Sequence, residues 1–230
     1  NCAAYTDVRK AEIERKKALD INSNGVKNLV NFCEKNNVKL IHFSTDYVYN
    51  SLNKKPINED ELIDPQNYYG YTKREGEKHI ENSNSESIVI RTSWLYSKYG
   101  NNFVNSIIDK SKKGENLKVI NDQFGCPTYA RDLALAVIQI LESNKRIDKK
   151  AKIFNYSNTE STNWFDFAKK ILKLYGSNSK VEPVDSKYFK DEVKRPKFSI
   201  TSKQKIIDTF NLEINNWDSS LTNYIINDLK

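Results

Sequence analysis

The sequence predicts an α/β fold in which a parallel sheet carries helices on both faces. Two observations point there. Residues 38–43 and 87–91 are short, apolar, β-branched runs of strand length, and between them lies a Lys- and Glu-rich stretch of helical length. Strand–helix–strand units of this size pair their strands in parallel with right-handed crossovers. The size agrees: 230 residues, 38% hydrophobic and 29% charged, suffice to bury a core as one large or two small domains.

Taken in order, residues 11–34 are expected to be helical, because Ala18, Ile21, Val26, Leu29, Val30 and Cys33 recur at threes and fours. Asn36-Asn37 ends that pattern, and the first strand follows. Residues 50–66 hold two prolines and many polar groups and are expected to be a loop. A helix over 69–82, entered by Asn67, leads to the second strand. Beyond Trp94 the elements shorten: helices over 103–113, 130–142 and 164–175, and strands over 117–120 and 153–156. Joined by polar loops, they suggest a smaller lid packed against the main sheet. Functional groups of parallel sheets gather at the carboxyl ends of the strands. Ser44-Thr45-Asp46 and Thr92-Ser93-Trp94 would lie there, with Tyr69 in the first turn of the intervening helix.

The net charge of +7 admits nucleic acid, an acidic membrane surface or a small phosphorylated ligand. The positives are interleaved with Glu and Asp, and no run of five occurs, which argues against a nucleic-acid patch. No apolar run approaches the roughly 18 residues that cross a bilayer, so no membrane partner is expected. Cys2, Cys33 and Cys126 show no metal or disulfide spacing and read as free thiols of a reducing cytoplasm. With only His42 and His79, neither a metal site nor a serine–histidine triad is expected. There is no methionine, and NCAAYT opens the chain with no element leading into it. The expectation is a chain lacking its natural N-terminus.

In NYYGYTK, Tyr69 stands four positions before Lys73. Among 13 tyrosines and so many lysines, about two such spacings arise by chance, so the pair alone proves nothing. The pair does suit ketone reduction, where a hydride reaches carbon and a proton reaches oxygen. A free phenol, with its pKa near 10, is a poor acid at neutrality. An ammonium one turn away on the same helix face is expected to lower it.

The neighbouring motifs decide. NCAAYTDVRKAE, DINSNGVKNL, HFSTDYVY, YYGYTKREGE, RTSWLYS, NDQFGCPTYARDLA and KRPKFS, in this order, resemble the dTDP-4-dehydrorhamnose reductases, extended members of the short-chain dehydrogenase/reductase superfamily. The resemblance runs from residue 1 to about 205 and implies a Rossmann-like sheet with its first Gly-rich βαβ portion missing. It places the remaining NADP-binding part in residues 1–95. Residues 96–230 would be mainly a smaller α/β substrate-binding region, with a segment around 120–145 returning to the first part.

The resemblance also implies the roles. Tyr69, Lys73 and Thr45 would be catalytic, with Lys73 also holding the nicotinamide ribose. Ala3, Ala4 and Tyr5, together with Tyr69 and Lys73, would contact NADPH, NADH being the alternative. Thr45, Asp46 and Trp94 would meet the sugar, and Gln123, Arg131 and Arg195 the nucleotide. Asn22 would brace the site. Related dehydratases carry Glu where this chain has Tyr47, so the residues favour reduction over water elimination. The implied reaction converts dTDP-4-dehydro-L-rhamnose to dTDP-L-rhamnose for polysaccharide. Rival readings are a related dTDP-6-deoxy-sugar 4-ketoreductase or a non-catalytic subunit of the methionine adenosyltransferase type. A homodimer is admitted, and no metal is implied.

Two departures stand out. The Gly-rich phosphate loop is absent, a piece of roughly 60 residues or one βαβαβ half, so this chain alone is expected neither to bind NADPH well nor to turn over. And Val8-Arg9-Lys10-Ala11-Glu12 replaces the common Val-Asp-x-Ala-Glu.

Overall fold

The computed structural model describes residues 1–50, 54–143, 145, 152–190 and 192–229. In chain order the elements begin with α1 (Val8–Ile13), α2 (Arg15–Leu19), a π-helical turn over Asp20–Asn24 and α3 (Gly25–Asn36). Strand β1 (Leu40–Thr45) follows, then α4 (Tyr68–Glu81), β2 (Ser87–Thr92), β3 (Leu95–Tyr96) and α5 (Phe103–Lys112). Next come β4 (Leu117–Ile120), β5 (Phe124–Gly125), β6 (Thr128–Tyr129), α6 (Ala130–Glu142) and β7 (Ile153–Asn155). The chain continues through β8 (Thr162–Asn163), α7 (Trp164–Tyr175), β9 (Val181–Val184), α8 (Gln204–Phe210) and α9 (Trp217–Asn223).

β1, β2 and β7 form a parallel sheet in that order, with Thr45 opposite Thr92 and Arg91 opposite Asn155. The period of two along β2 explains the layers. Val89 joins Ile153, Leu40, Ile80, Val26 and Val30 on the face covered by α3 and α4. Ile88 and Ile90 join Phe154, Leu133, Ala136 and Ile140 on the face covered by α6. Helices therefore lie on both faces, as expected. A second core gathers Val104, Ile107, Leu117, Val119, Phe167, Ile171 and Leu221 from α5, β4, α7 and α9, with β4 paired in parallel to β9. Each such fully buried aliphatic side chain contributes about 1.5–3 kcal/mol. Among the described residues no helix is long and apolar enough to cross a membrane.

The plentiful asparagines have a local use. Asn67, Asn102, Asn163 and Asn216 each cap a helix, their side chains accepting from the backbone amides of Gly70, Asn105, Asp166 and Ser219. At the other end of α4 the buried Lys152 ammonium donates to the carbonyls of Ile80 and Ser83 at 3.1 and 2.7 Å, closing the helix with a cation as its dipole favours.

Two differences from the sequence expectation matter. The single helix expected over 11–34 is broken at Glu14 and again by the π turn. That turn aims the Asn22 side chain inward, where regular spacing alone gave no reason to expect it. The strand expected over 38–43 runs two residues later, which brings Thr45 into its last position. Of the loop expected over 50–66, residues 51–53 lie outside the described residues. Its remainder is tied to the body by bridges from Ile63 to Tyr49 and from Ile57 to Thr201.

Arg91 on β2 and Glu77 on α4 are 1% and 0% exposed and meet through two hydrogen bonds of 2.9 and 2.7 Å. Burial pushes the Glu77 carboxyl up, but the Arg91 charge and hydrogen bonds overcome this and hold it below its ordinary range. Glu77→Gln leaves a buried guanidinium uncompensated and is expected to cost about 3–5 kcal/mol in urea unfolding. A loss below about 1 kcal/mol would mean that the pair does not clamp helix to strand.

Candidate active site

The carboxyl edge of the sheet is where the sequence-derived candidates meet. β1 delivers Thr45 and Asp46, both buried, and the backbone turns at once through a 3-10 segment, Asp46–Val48. Thr45 caps that turn itself, its hydroxyl accepting the Tyr47 amide at 3.2 Å. The same hydroxyl donates to Asp46 Oδ1 at 3.2 Å. α4 begins opposite. Its Gly70 leaves no room for a β-carbon, which would stand 2.3 Å from the Tyr47 carbonyl oxygen, so only glycine lets the helix start this close to the turn. Tyr69 thereby reaches Thr45 by a hydrogen bond and packs edge-on to the Tyr47 ring at 6.0 Å. Glu12, from α1, also accepts the Tyr68 amide at 2.7 Å, fixing the first turn of α4 from the other side.

Lys73 sits one turn further in and is 2% exposed. Its ammonium donates to the Phe43 carbonyl at 2.7 Å and lies 3.3 Å from Nε2 of the buried His42. The electrostatics run against the expected direction. Burial pushes the Tyr69 phenol well above its ordinary value, opposed by its hydrogen bond to Thr45. Burial lowers Lys73 to about 8, opposed by the Glu77 carboxylate. The spacing places the two side chains on one helix face, as foreseen. Yet the ammonium is engaged by Phe43 and His42, so the expected lowering of the phenol by Lys73 is corrected: desolvation dominates both groups. Burial likewise lifts Asp46 to about 7, against hydrogen bonds from Ser199 and Thr45.

The opening stretch is held beside α4 by Asn22. Its side chain accepts the Tyr5 amide at 2.8 Å and donates to the Tyr5 carbonyl and the Thr72 hydroxyl, each at 3.0 Å. Ala3 is exposed, Ala4 partly so, and Tyr5 turns its ring into a small cluster with Ala11, Ala18, Tyr68 and Tyr69.

Trp94, just past β2, adopts a left-handed φ of 46°, costly for a bulky residue. Its ring stacks on Trp164 at 3.4 Å between centroids and lies against Gly125, where a β-carbon would approach within 2.6 Å of the indole. Gln123 is buried next to that glycine. Arg195 is partly exposed and follows Lys194, whose carbonyl accepts from the Asn67 cap at 3.0 Å. Arg131 does not join this group: it is exposed and pairs with Asp228 at 3.2 Å. His42, Ser199, Trp164 and Glu12 belong to the site's surroundings and were not singled out from sequence. Glu12, His42 and Ser199 lie within the motifs NCAAYTDVRKAE, HFSTDYVY and KRPKFS, whereas Trp164 carried no local signal.

The chain is similar in sequence and in fold to known proteins. The family model described as the RmlD substrate binding domain matches residues 1–229. A dTDP-4-dehydrorhamnose reductase of Sinorhizobium fredii is 35% identical over 225 residues, covering 95% of this chain and 76% of its own length. The crystal structure of a dTDP-4-dehydrorhamnose reductase from Bacillus anthracis, in complex with NADP, superimposes with a TM-score of 0.90 at 35% identity, over 99% of this chain and 79% of that one. The ortholog from Clostridium acetobutylicum gives 0.91 at 36%, over 98% and 78%.

Two outcomes test the geometry. Gly125→Ala drives a methyl group into Trp94 and is expected to cost about 1–3 kcal/mol and to weaken the near-ultraviolet circular dichroism of the stacked indoles. An unchanged spectrum would refute the packing. For Lys73, the unfolded chain keeps its proton to about pH 10.5 and the folded chain only to about 8. The unfolded state thus binds more protons in between, and stability rises with pH from about 8 toward 10, by something on the order of 2–3 kcal/mol. Lys73→Met should flatten that rise in urea unfolding at a series of pH values.

Proposed function

The chain belongs to the RmlD substrate-binding-domain family, and from that premise we propose that it acts as a dTDP-4-dehydrorhamnose reductase, reducing dTDP-4-dehydro-L-rhamnose to dTDP-L-rhamnose with NADPH. The observation that carries the reading is the Tyr69–Thr45 hydrogen bond at the carboxyl edge of the sheet, with Lys73 one helical turn away.

The residues present fit the cofactor. Ala3 and Ala4 present little side chain at the edge beside β1, and Asn22 fixes the backbone that follows them. Phe43 and His42 engage two of the three directions of the Lys73 ammonium, and the third suits a ribose hydroxyl. When bound, the nicotinamide supplies the hydride. Everything else falls to side chains. Tyr69 gives its proton to the carbonyl oxygen as charge develops there. Thr45 orients the phenol, and in a buried setting its hydrogen bond is stronger than in water.

Asp46 and the exposed part of Trp94 border the space for the sugar. Beside the start of α4 a cavity of about 630 Å³ is lined by Arg9, Glu12, Gln66, Phe189, Lys190 and Lys194. Its cations suit the diphosphate, and Gln123 and Arg195 are the further candidates for the nucleotide. Arg131 would have to leave Asp228 to take part. Tyr47, packed on Tyr69, stands where elimination would call for a second carboxylate, which supports simple reduction.

The test is loss of reduced-nicotinamide absorbance with dTDP-4-keto-6-deoxy sugar, in the chain extended to the length of its relatives. Turnover is expected in the wild type, with a loss of about 10²–10⁴ in Tyr69→Phe. Wild-type binding of NADPH without turnover would remove the reductase assignment.

A further inference from the structure

We propose that Asp46, acting through the Thr45 hydroxyl, holds and returns the proton that Tyr69 gives up, so that the sheet edge carries its own proton supply. The inference rests on the reductase reading and deepens it.

The row of hydroxyls has a defined sense. A threonine hydroxyl owns one hydrogen and two lone pairs. Thr45 spends its hydrogen on Asp46 Oδ1, at 3.2 Å, and one lone pair on the Tyr47 amide, at 3.2 Å. The other lone pair is the one that meets the Tyr69 hydroxyl, which therefore donates. The hydrogens run from Tyr69 to Thr45 to Asp46. When the phenol O–H bond breaks and a new O–H bond forms on the substrate, the row can reverse. The Thr45 hydroxyl turns and passes its hydrogen to the phenolate, and the Asp46 carboxyl, rotated so that its protonated oxygen faces Thr45, passes its proton to the Thr45 oxygen. Asp46 is left as carboxylate and is recharged from solvent water. No electrons move in this step, and each O–H bond broken is matched by one formed.

Two further observations favour Asp46 as the store. Its carboxyl is 3% exposed, yet its Oδ2 has no close hydrogen-bond partner among the described residues, although the Ser199 hydroxyl faces the carboxyl. A buried carboxylate oxygen in that position is far more costly than the neutral carboxyl. Nor is the side chain needed as a turn cap, since Thr45 performs that role. The titratable groups facing it are neutral phenols, Tyr69 from α4 and Tyr47 from the turn itself, with the Ser199 hydroxyl on the remaining side. Lys73, the other proton-bearing group on the helix face, points to Phe43 and His42 instead. Burial raises the Asp46 carboxyl to about 7, which lets it be loaded and unloaded near neutrality.

The first test needs no substrate. With ¹³C-carboxyl-labelled aspartate in the chain, infrared titration should show a carboxylic-acid band that disappears near pH 7, is absent in Asp46→Asn, and shifts its midpoint in Thr45→Val and in Tyr69→Phe. Absence of the band, or a midpoint indifferent to both partners, overturns the row. The second test is the pH profile of kcat in the chain completed to the length of its relatives. Asp46→Asn should lower kcat about 10²-fold and remove its neutral limb, with KM within about threefold, and Asp46→Glu should restore the limb. An Asn variant that raises KM but keeps the wild-type profile means that Asp46 only holds the sugar. A wild type that fails to turn over removes the reductase reading, and the infrared result still decides whether the three side chains share a proton.

Discussion

Arg91 and Glu77 are withdrawn from water together, and the phase of α4 against the sheet is set where they meet. Desolvating two ions costs several kcal/mol each, so such a pair persists only with fully satisfied geometry. Here the guanidinium grips both carboxylate oxygens, donates to the Tyr49 hydroxyl at 2.7 Å and reaches the Glu59 carbonyl at 3.2 Å. Arg74 adds a second cation 3.0 Å from Glu77. Glu77, Lys73 and Tyr69 are spaced by four and share one helix face. Fixing Glu77 on the central strand therefore fixes which way Lys73 and Tyr69 look. The same network runs outward through Tyr49 to Asn155 at 2.9 Å, joining the third strand and the segment after residue 54 to the clamp.

Closeness at the other end of the helix comes from what is missing. Gly70 removes the one β-carbon that would hold α4 away from the Tyr47 carbonyl. Asn22, on the π turn, then ties Thr72 of α4 to the Tyr5 backbone. π turns break the helical ladder locally and are frequent at functional sites. In this chain the turn points an amide inward between two elements that would otherwise only pack.

Burial shifts four groups at the edge toward their neutral forms: Asp46 and Tyr69 upward, Lys73 and His42 downward. Strongly shifted groups gathered inside one small volume are typical of sites that handle protons. The Trp94–Trp164 stack, with Trp94 in left-handed backbone, packs on the second core beside the same edge.

The sequence by itself determined the parallel sheet, because apolar runs separated by a helix of that length admit few other arrangements. Helices 130–142 and 164–175 were legible to the residue, since their apolar faces repeat cleanly and their ends carry Ser143 and Gly176. It also determined that Thr45, Asp46, Tyr69 and Lys73 share one edge, as strand ends and a helix start must. What it could not determine was how those groups are charged and bonded. The break at Glu14, the π turn and the partners of Lys73 arise from contacts between residues tens of positions apart, such as Asn22 with Thr72 and Lys73 with His42. The two-residue strands β3, β5, β6 and β8 are too short to carry a period at all. Tertiary structure alone turned Arg131 toward Asp228, seated Trp94 on Trp164 and raised the phenol that sequence spacing would have lowered. Spacing places side chains on a face, but only packing decides how much water each of them loses.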